Sequence, residues 1–306
     1  MQLLSCDLWL MEFGAFRAFK SLAESSVSAD IDLVRASTPQ PTKQKAVGII
    51  PVTGVLAARH SLIGELLGMS SYERIGQMVD AFAADESISG IIMRICSPGG
   101  MVYGCEEAAE KIYRARSAKP VIAVADPLAA SGGYWLAAAA SRVVVTPSGD
   151  LGSVGVIHEH VDVSQANEQR GEKVTIVRSS AAPFKAQFNE LEPLSEEGRQ
   201  HLQARADEIH GRFAGALAKY RGVPVDHVNE HFGKGRVVDA QSAVRAGMAD
   251  RVETFEQIVY KMAAGRIRIG AEKAQDVWDA PTRREMLREK AERIRVAAES
   301  MEGDAA

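Results

Sequence analysis

Apolar residues along this chain fall into two rhythms. Between residues 46 and 179, short runs rich in Val, Ile and Ala (AVGIIPVTGVL, ISGIIMRICSP, KPVIAVAD, VVVTP, SVGVIHEHVDV, KVTIVRSS) alternate with stretches of helical spacing (SYERIGQMVDAFAAD, GCEEAAEKIYRARSA, SGGYWLAAAASR). The runs lack strict in–out alternation, as suits strands covered on both faces. Strand and helix in alternation predict crossover units around a largely parallel sheet, an α/β fold. After Pro193 the rhythm is helical. LSEEGRQHLQARADEIHGRFAGALAKYRG sets Leu202, Ile209, Phe213 and Leu217 on one face and stops at Gly222. Residues 236–250 read as a turn and helix that close the domain.

The flanks differ from this core. Residues 1–44 are weakly patterned and read as a short helix followed by the proline-containing linker STPQPTKQK. The tail from 266 is strongly charged. Thr282 with Glu285 fits a capping box, and Leu287, Ala291, Ile294, Ala298 and Met301 make one narrow apolar stripe, the pattern of a helix that docks on a partner or is cleaved off during maturation. The reading is therefore an N-terminal segment (1–44), a core domain (45–265) and a helical tail (266–306), without internal repeats.

Composition narrows the function. Of 306 residues, 46% are hydrophobic and 25% charged, enough to bury a sizeable core. Lys and Arg number 36 against 40 Asp and Glu, and the net charge of −4 argues against a nucleic-acid partner. The three cysteines (Cys6, Cys96, Cys105) match no zinc spacing, and a reducing cytoplasm is the simplest setting. Neither a signal peptide nor an apolar run of about 20 residues is present, so a soluble protein is expected. Without a phosphate loop of Walker spacing, the chain carries no ATPase of its own.

Candidate chemistry centres on Ser131, which follows the run VIAVADPLAA and precedes Gly132 and Gly133 at the start of an Ala-rich helix. Serine is favoured as a helix N-cap. The same place suits a nucleophile, because glycines admit close backbone approach and helix N-terminal amides favour developing negative charge. Ser97-Pro98-Gly99-Gly100 reads as a turn after a strand, where glycine amides face an adjacent crevice. For the base, His158 and His160 lie nearest in sequence, but HEH within an apolar run reads as alternation along a strand, and further metal ligands are lacking. Lysine is the other option, since desolvation lets its amine act as a general base. Cys96 reads as a small buried side chain, Tyr134 and Trp135 as packing residues of the helix, and Asp162 as a cap for DVSQANEQR.

AASGGYWLAAAASRVVVTPSGDLGSVGV resembles the serine-motif region of signal peptide peptidase A-type serine–lysine peptidases, and especially their phage head-maturation branch. ICSPGG, HVDVSQANEQRGEKVTIV, FKAQFNELEPLSEEGR and GKGRVVDAQSAVRAGMADRV agree with the family in order, so the resemblance spans roughly residues 46–252. It implies a Clp protease/crotonase-like fold with Ser131 as nucleophile and Lys185 as general base. Gly100, Gly99 and Gly132 fall at the oxyanion hole, and Ser153 matches a serine that orients the lysine amine. Where the family usually has glycine shortly before the lysine, this chain has SSAAPFK; Lys173 is the rival base. No cofactor or metal is implied.

The resemblance further implies a homo-oligomer, since members form rings and in some the lysine reaches a neighbour's serine. Scaffold or capsid proteins are the implied substrates, cut inside a prohead in the bacterial cytoplasm. A cellular peptidase that degrades signal peptides, an acyl-CoA enzyme of the crotonase type and a non-catalytic capsid assembly protein are the alternatives.

Overall fold

Strand β1 (Trp9–Met11) stands apart in sequence from the strands of the core, β2 (Ala46–Ala57), β3 (Ser70–Ser71), β4 (Ile88–Met101), β5 (Val121–Ala130), β6 (Arg142–Val145), β7 (Asp150–Gly152), β8 (Val237–Asp239) and β9 (Arg251–Val252). The computed structural model describes residues 9–11 and 46–267. Among them these nine strands form one sheet with the central order β3-β2-β4-β5-β6-β9, every neighbouring pair parallel. The largely parallel α/β fold expected from the sequence is the fold observed.

Helices α1 (Leu62–Leu66), α2 (Tyr72–Ala84), α3 (Cys105–Ala115) and α4 (Gly132–Ala138) lie between the parallel strands. After β7 come α5 (Ser164–Gln169), the long α6 (Glu196–Arg221), α7 (Val225–His231), α8 (Ala240–Arg245) and α9 (Phe255–Ala263). The ends of α6 follow from local chemistry. The Ser195 side chain accepts from the Gly198 amide, and Gly222 stops the helix at φ 68, where a side chain would be strained. The core is centred on β4 and β5, whose Ile91, Ile92, Met93, Val121, Ile122 and Val124 are all buried. At about 1.5–3 kcal/mol for each large side chain buried, this double-sided burial is the main favourable term.

Several local expectations are corrected. Residues 9–11 are a strand, not part of a helix, because an open edge of β4 accepts their backbone; the rest of segment 1–44 and the expected tail helix lie outside the described residues. The SPGG stretch is no turn, since β4 runs on through it to Met101. Cys96 is exposed, not buried: along this part of β4, Ile95 and Ser97 point inward while Arg94 and Cys96 face outward.

SVGVIHEHVDV and KVTIVRSS are not ladder strands. From 155 to 195 the only regular elements are α5 and an isolated bridge at Ile157. Val174 and Val177 stand 47% and 89% exposed, so their strand propensity goes unused without a packed neighbour.

Candidate active site

β5 follows β4 in parallel as far as Ser97 opposite Ala129, and two residues later the chain turns at Ser131 into α4. Ser131 adopts φ 51 and ψ −118, a conformation costing a non-glycine residue about 1–3 kcal/mol. The fold pins both of its peptide groups. Its amide donates to the Gly152 carbonyl at 2.7 Å, and its carbonyl accepts from the Trp135 amide at 2.9 Å.

A capping serine would turn its oxygen to the first amides of the helix. Ser131 makes no such bond, and its Oγ is buried without a hydrogen-bond partner among the described residues. The cap reading therefore fails. An orphan buried hydroxyl costs about 1–3 kcal/mol, so this serine carries strain and an unmet hydrogen bond together.

The helix behind it is rigid. All seven residues of α4 are buried, Trp135 stacks on Phe213 of α6 with ring centroids 4.4 Å apart, and the Tyr134 hydroxyl donates to the Met248 carbonyl at 3.0 Å. These two aromatics are packing residues, as their pattern predicted. Gly133 permits the close approach to β4: a Cβ there would lie 3.3 Å from both Cβ and the carbonyl oxygen of Ser97.

Ser97 is also buried and organises the glycine edge. Its hydroxyl donates to the Gly54 carbonyl at 2.7 Å and accepts from the Gly99 amide at 3.1 Å. The β2–β4 register shifts between Thr53 and Val55, leaving Pro98 in the irregularity, where the ladder needs no N–H from it. Gly99 thus has its amide engaged by Ser97. At Gly100 a Cβ would fall 2.0 Å from the Leu56 carbonyl oxygen, so only glycine fits this contact between strands. Gly132 and Gly133 open α4, where helix amides lie outside the intrahelical ladder. Ser153 is buried nearby at φ 53, its amide donating to Arg236 O at 2.8 Å, one residue beyond the Gly152 carbonyl that holds Ser131.

Lys185 is placed differently. It is exposed in the irregular 155–195 segment, and among the described residues its amine makes no hydrogen bond or ion pair. The structure of the single chain does not join it to Ser131 Oγ. Its backbone is nevertheless held. Arg178 Nε donates to the Lys185 carbonyl at 2.6 Å and Nη2 to the Ala186 carbonyl at 3.3 Å, while the guanidinium also pairs with Glu192. Asn189 Nδ2 donates to Ala186 O at 2.7 Å and to Glu192 Oε2 at 2.8 Å. Hydrogen bonds from Arg178 and then Asn189 hold the Glu192 carboxyl below its usual range. Ala186 takes φ 57, a left-handed conformation immediately after the lysine.

The other bases are no nearer. Lys173 is exposed in the same segment. His160 Nε2 is 2.9 Å from the Asn189 carbonyl, and burial followed by His201 lowers the His158 imidazole below its ordinary value. Asp162 accepts from the Ser164 amide at 2.9 Å, a structural role at the start of α5. Reading the sequence missed the Arg178–Glu192 clamp, whose members stand 14 positions apart at no recurring spacing, and the hydrogen bonds by which Ser97 ties Gly54 to Gly99.

Comparison with known proteins gives a consistent family. The sequence profile of peptidase family S49 matches residues 114–267. The chain is 35% identical over 217 residues to the head-tail preconnector protein GP5 of Enterobacteria phage P21, covering 71% of this chain and 42% of that protein. It is 32% identical over 235 residues to capsid assembly protease C of Escherichia phage lambda, covering 77% and 52%. A solved structure of a mutant 1510-N membrane-bound stomatin-specific protease is similar at 14% identity, with a TM-score of 0.44 over 72% of this chain and 86% of that one. The chain thus spans about half the length of the curated relatives it matches. Among the described residues no helix is long and apolar enough to cross a membrane. With half of its length under the family profile, including the Ser131 turn and the Lys185 segment, the chain belongs to peptidase family S49.

Proposed function

We propose that this protein is a serine endopeptidase that processes scaffold or capsid proteins during phage head maturation, with Ser131 as nucleophile and Lys185 as general base. The observation that carries the reading is the state of Ser131: strained, pinned at both peptide groups, and buried with an unpartnered hydroxyl. A fold retains such a combination where a side chain acts rather than stabilises.

In the reaction the Lys185 amine removes the Oγ proton of Ser131 as the oxygen attacks the scissile carbonyl carbon. The amides of Gly100 and Gly132 stabilise the oxyanion, Gly99 being engaged by Ser97. The C–N bond breaks as Lys185 returns the proton to the leaving amine. A water deprotonated by Lys185 then attacks the acyl ester, and Ser131 leaves with its proton restored. Ser153, buried one residue beyond the carbonyl that holds Ser131, supports the orientation of the lysine amine.

Because Lys185 is exposed in one chain, the dyad closes on assembly, with the 155–195 segment of one subunit reaching the serine of its neighbour. The exposed Val174, Val177 and Phe184 supply apolar surface for that docking. The test combines labelling of Ser131 by a serine-reactive phosphonate with end-sequencing of products from candidate coat and scaffold proteins. Unlabelled Ser131 in the assembled protein would sink the reading. Ser131→Ala and Lys185→Ala chains, each inactive, should regain cleavage in mixed oligomers; no rescue in verified mixtures would place both residues in one subunit.

A further inference from the structure

Strand β1 occupies a place that the peptidase reading requires for something else. Gly99 and Gly100 pair with Val55 and Leu56 of β2 along one edge of β4. The same two residues pair antiparallel with Met11 and Leu10. A strand has two edges, so β1 must lie on the other, the edge that β5 follows up to Ser97 opposite Ala129 and then leaves to form the Ser131 turn. β1 thus fills the stretch of β4 exposed by the departure of β5, beside the nucleophile.

Its direction is equally specific. Trp9 lies opposite Met101 and Met11 opposite Gly99, so β1 itself runs from Trp9 to Met11 in the direction of Ser97 and the end of β5, where Ser131 stands. An extended peptide binds an open sheet edge through main-chain hydrogen bonds, whatever its side chains. At this edge such a strand would run past the Gly100 backbone, beside the end of β5 where the Ser131 turn begins.

We propose that Trp9–Met11 is an intramolecular pseudosubstrate, bound on the strand edge that receives the extended peptide substrate and blocking it until displaced. The proposal rests on the peptidase reading above. A three-residue pairing is weak alone, but tethering raises its effective concentration to about the millimolar range, sufficient for a short strand to compete with substrate. The inhibition is therefore reversible and competitive, and a protein substrate with a better-matched strand overcomes it.

The test is Leu10→Pro in the full chain, since proline lacks the amide hydrogen and restricts the backbone a paired strand needs. With an unstructured reporter peptide, KM should fall about tenfold with kcat nearly unchanged, given the millimolar competitor removed. A synthetic peptide spanning Trp9–Met11, added to the Leu10→Pro protein, should restore inhibition competitive with substrate. Hydrogen exchange in a Ser131→Ala background reads the pairing without catalysis, and residues 9–11 and 99–101 should lose protection together when Leu10→Pro is added. If KM is unchanged while the phosphonate labels Ser131 equally in both proteins, the pseudosubstrate is overturned and the peptidase reading stands. If exchange shows the strand released but neither protein is labelled or active, the peptidase reading itself fails, and the inhibitory role with it.

Discussion

The two halves of the proposed dyad are built by different physics. Ser131 sits where β5 meets α4, fully buried, with both of its peptide groups bonded and an aromatic stack behind it. Lys185 sits in a segment with little regular structure, its backbone held by a polar clamp of Arg178, Glu192 and Asn189. The first half inherits its geometry from the core of the domain and is complete in one chain. The second is shaped by hydrogen bonds that are only part-buried, and in one chain its lysine stays exposed. A nucleophile tolerates no misplacement relative to its oxyanion donors, and the proposed donors and nucleophile of this chain lie at adjacent strand ends of one sheet.

Removing the reacting groups tests whether the halves act as one unit. Ser131→Ala and Lys185→Ala should each lower kcat/KM by at least about a thousandfold, and the double variant should be scarcely worse, as for groups that act together. Reporter-peptide kinetics decide it. Near-normal turnover in Lys185→Ala would separate the lysine from the chemistry.

The serine half depends on a buried ion pair that the lysine half lacks. Arg221 at the end of α6 donates to Asp250 at 2.7 and 3.1 Å, and Asp250 also accepts from the Val143 amide at 2.6 Å. Leaving either charge unpaired should cost about 3–5 kcal/mol, measured by chemical denaturation of Arg221→Ala. Burial alone would raise the Asp250 carboxyl, but the Arg221 guanidinium and the Val143 amide outweigh it and the net shift is downward. Its contribution is therefore complete above the ordinary carboxylate range of about 3.9 and is lost as pH falls through the lower folded value. Acid denaturation of wild type and Asp250→Asn should converge below that range.

Arg178→Ala should show the converse pattern. Its clamp is half-buried at the surface, well short of the burial of Arg221 and Asp250, so the denaturation midpoint should move far less. Turnover should nevertheless fall by roughly ten- to a hundredfold through misplacement of the lysine backbone, seen in kcat more than in KM. Arg178→Lys should fail to restore it, because one ammonium cannot bond two carbonyls and a carboxylate in the guanidinium's fork geometry. A large stability loss with normal turnover would reverse the contrast between the halves.

The smallest effect concerns the same serine. Ser131→Ala removes a buried hydroxyl without a partner and should stabilise the inactive protein by about 1 kcal/mol, detectable as a raised melting temperature. An equal substitution at Ser97, whose hydroxyl bonds Gly54 and Gly99, should destabilise it.

Much of this organisation is legible in the amino acids. The apolar runs locate β2, β4, β5 and β6, because a strand buried on both faces needs Val and Ile at successive positions. Ser195 and Gly222 bound α6 by capping chemistry confined to a few residues. Ser131 with its two glycines stands out for the same reason, as the junction of a strand with a helix that must be approached closely.

The tertiary structure decided what depends on distant partners. The same apolar pattern that marks true strands marks KVTIVRSS, yet that run pairs with no strand among the described residues and stays outside the ladder. Trp9–Met11, without a strand pattern, pairs because β5 vacates an edge of β4. The outward side chain of Cys96, the left-handed turn at Ser131, and the union of Arg221 with Asp250 across 29 positions likewise arise from neighbours brought together by folding. Periodicity records which residues seek burial; only the assembled sheet determines which edges remain to receive them.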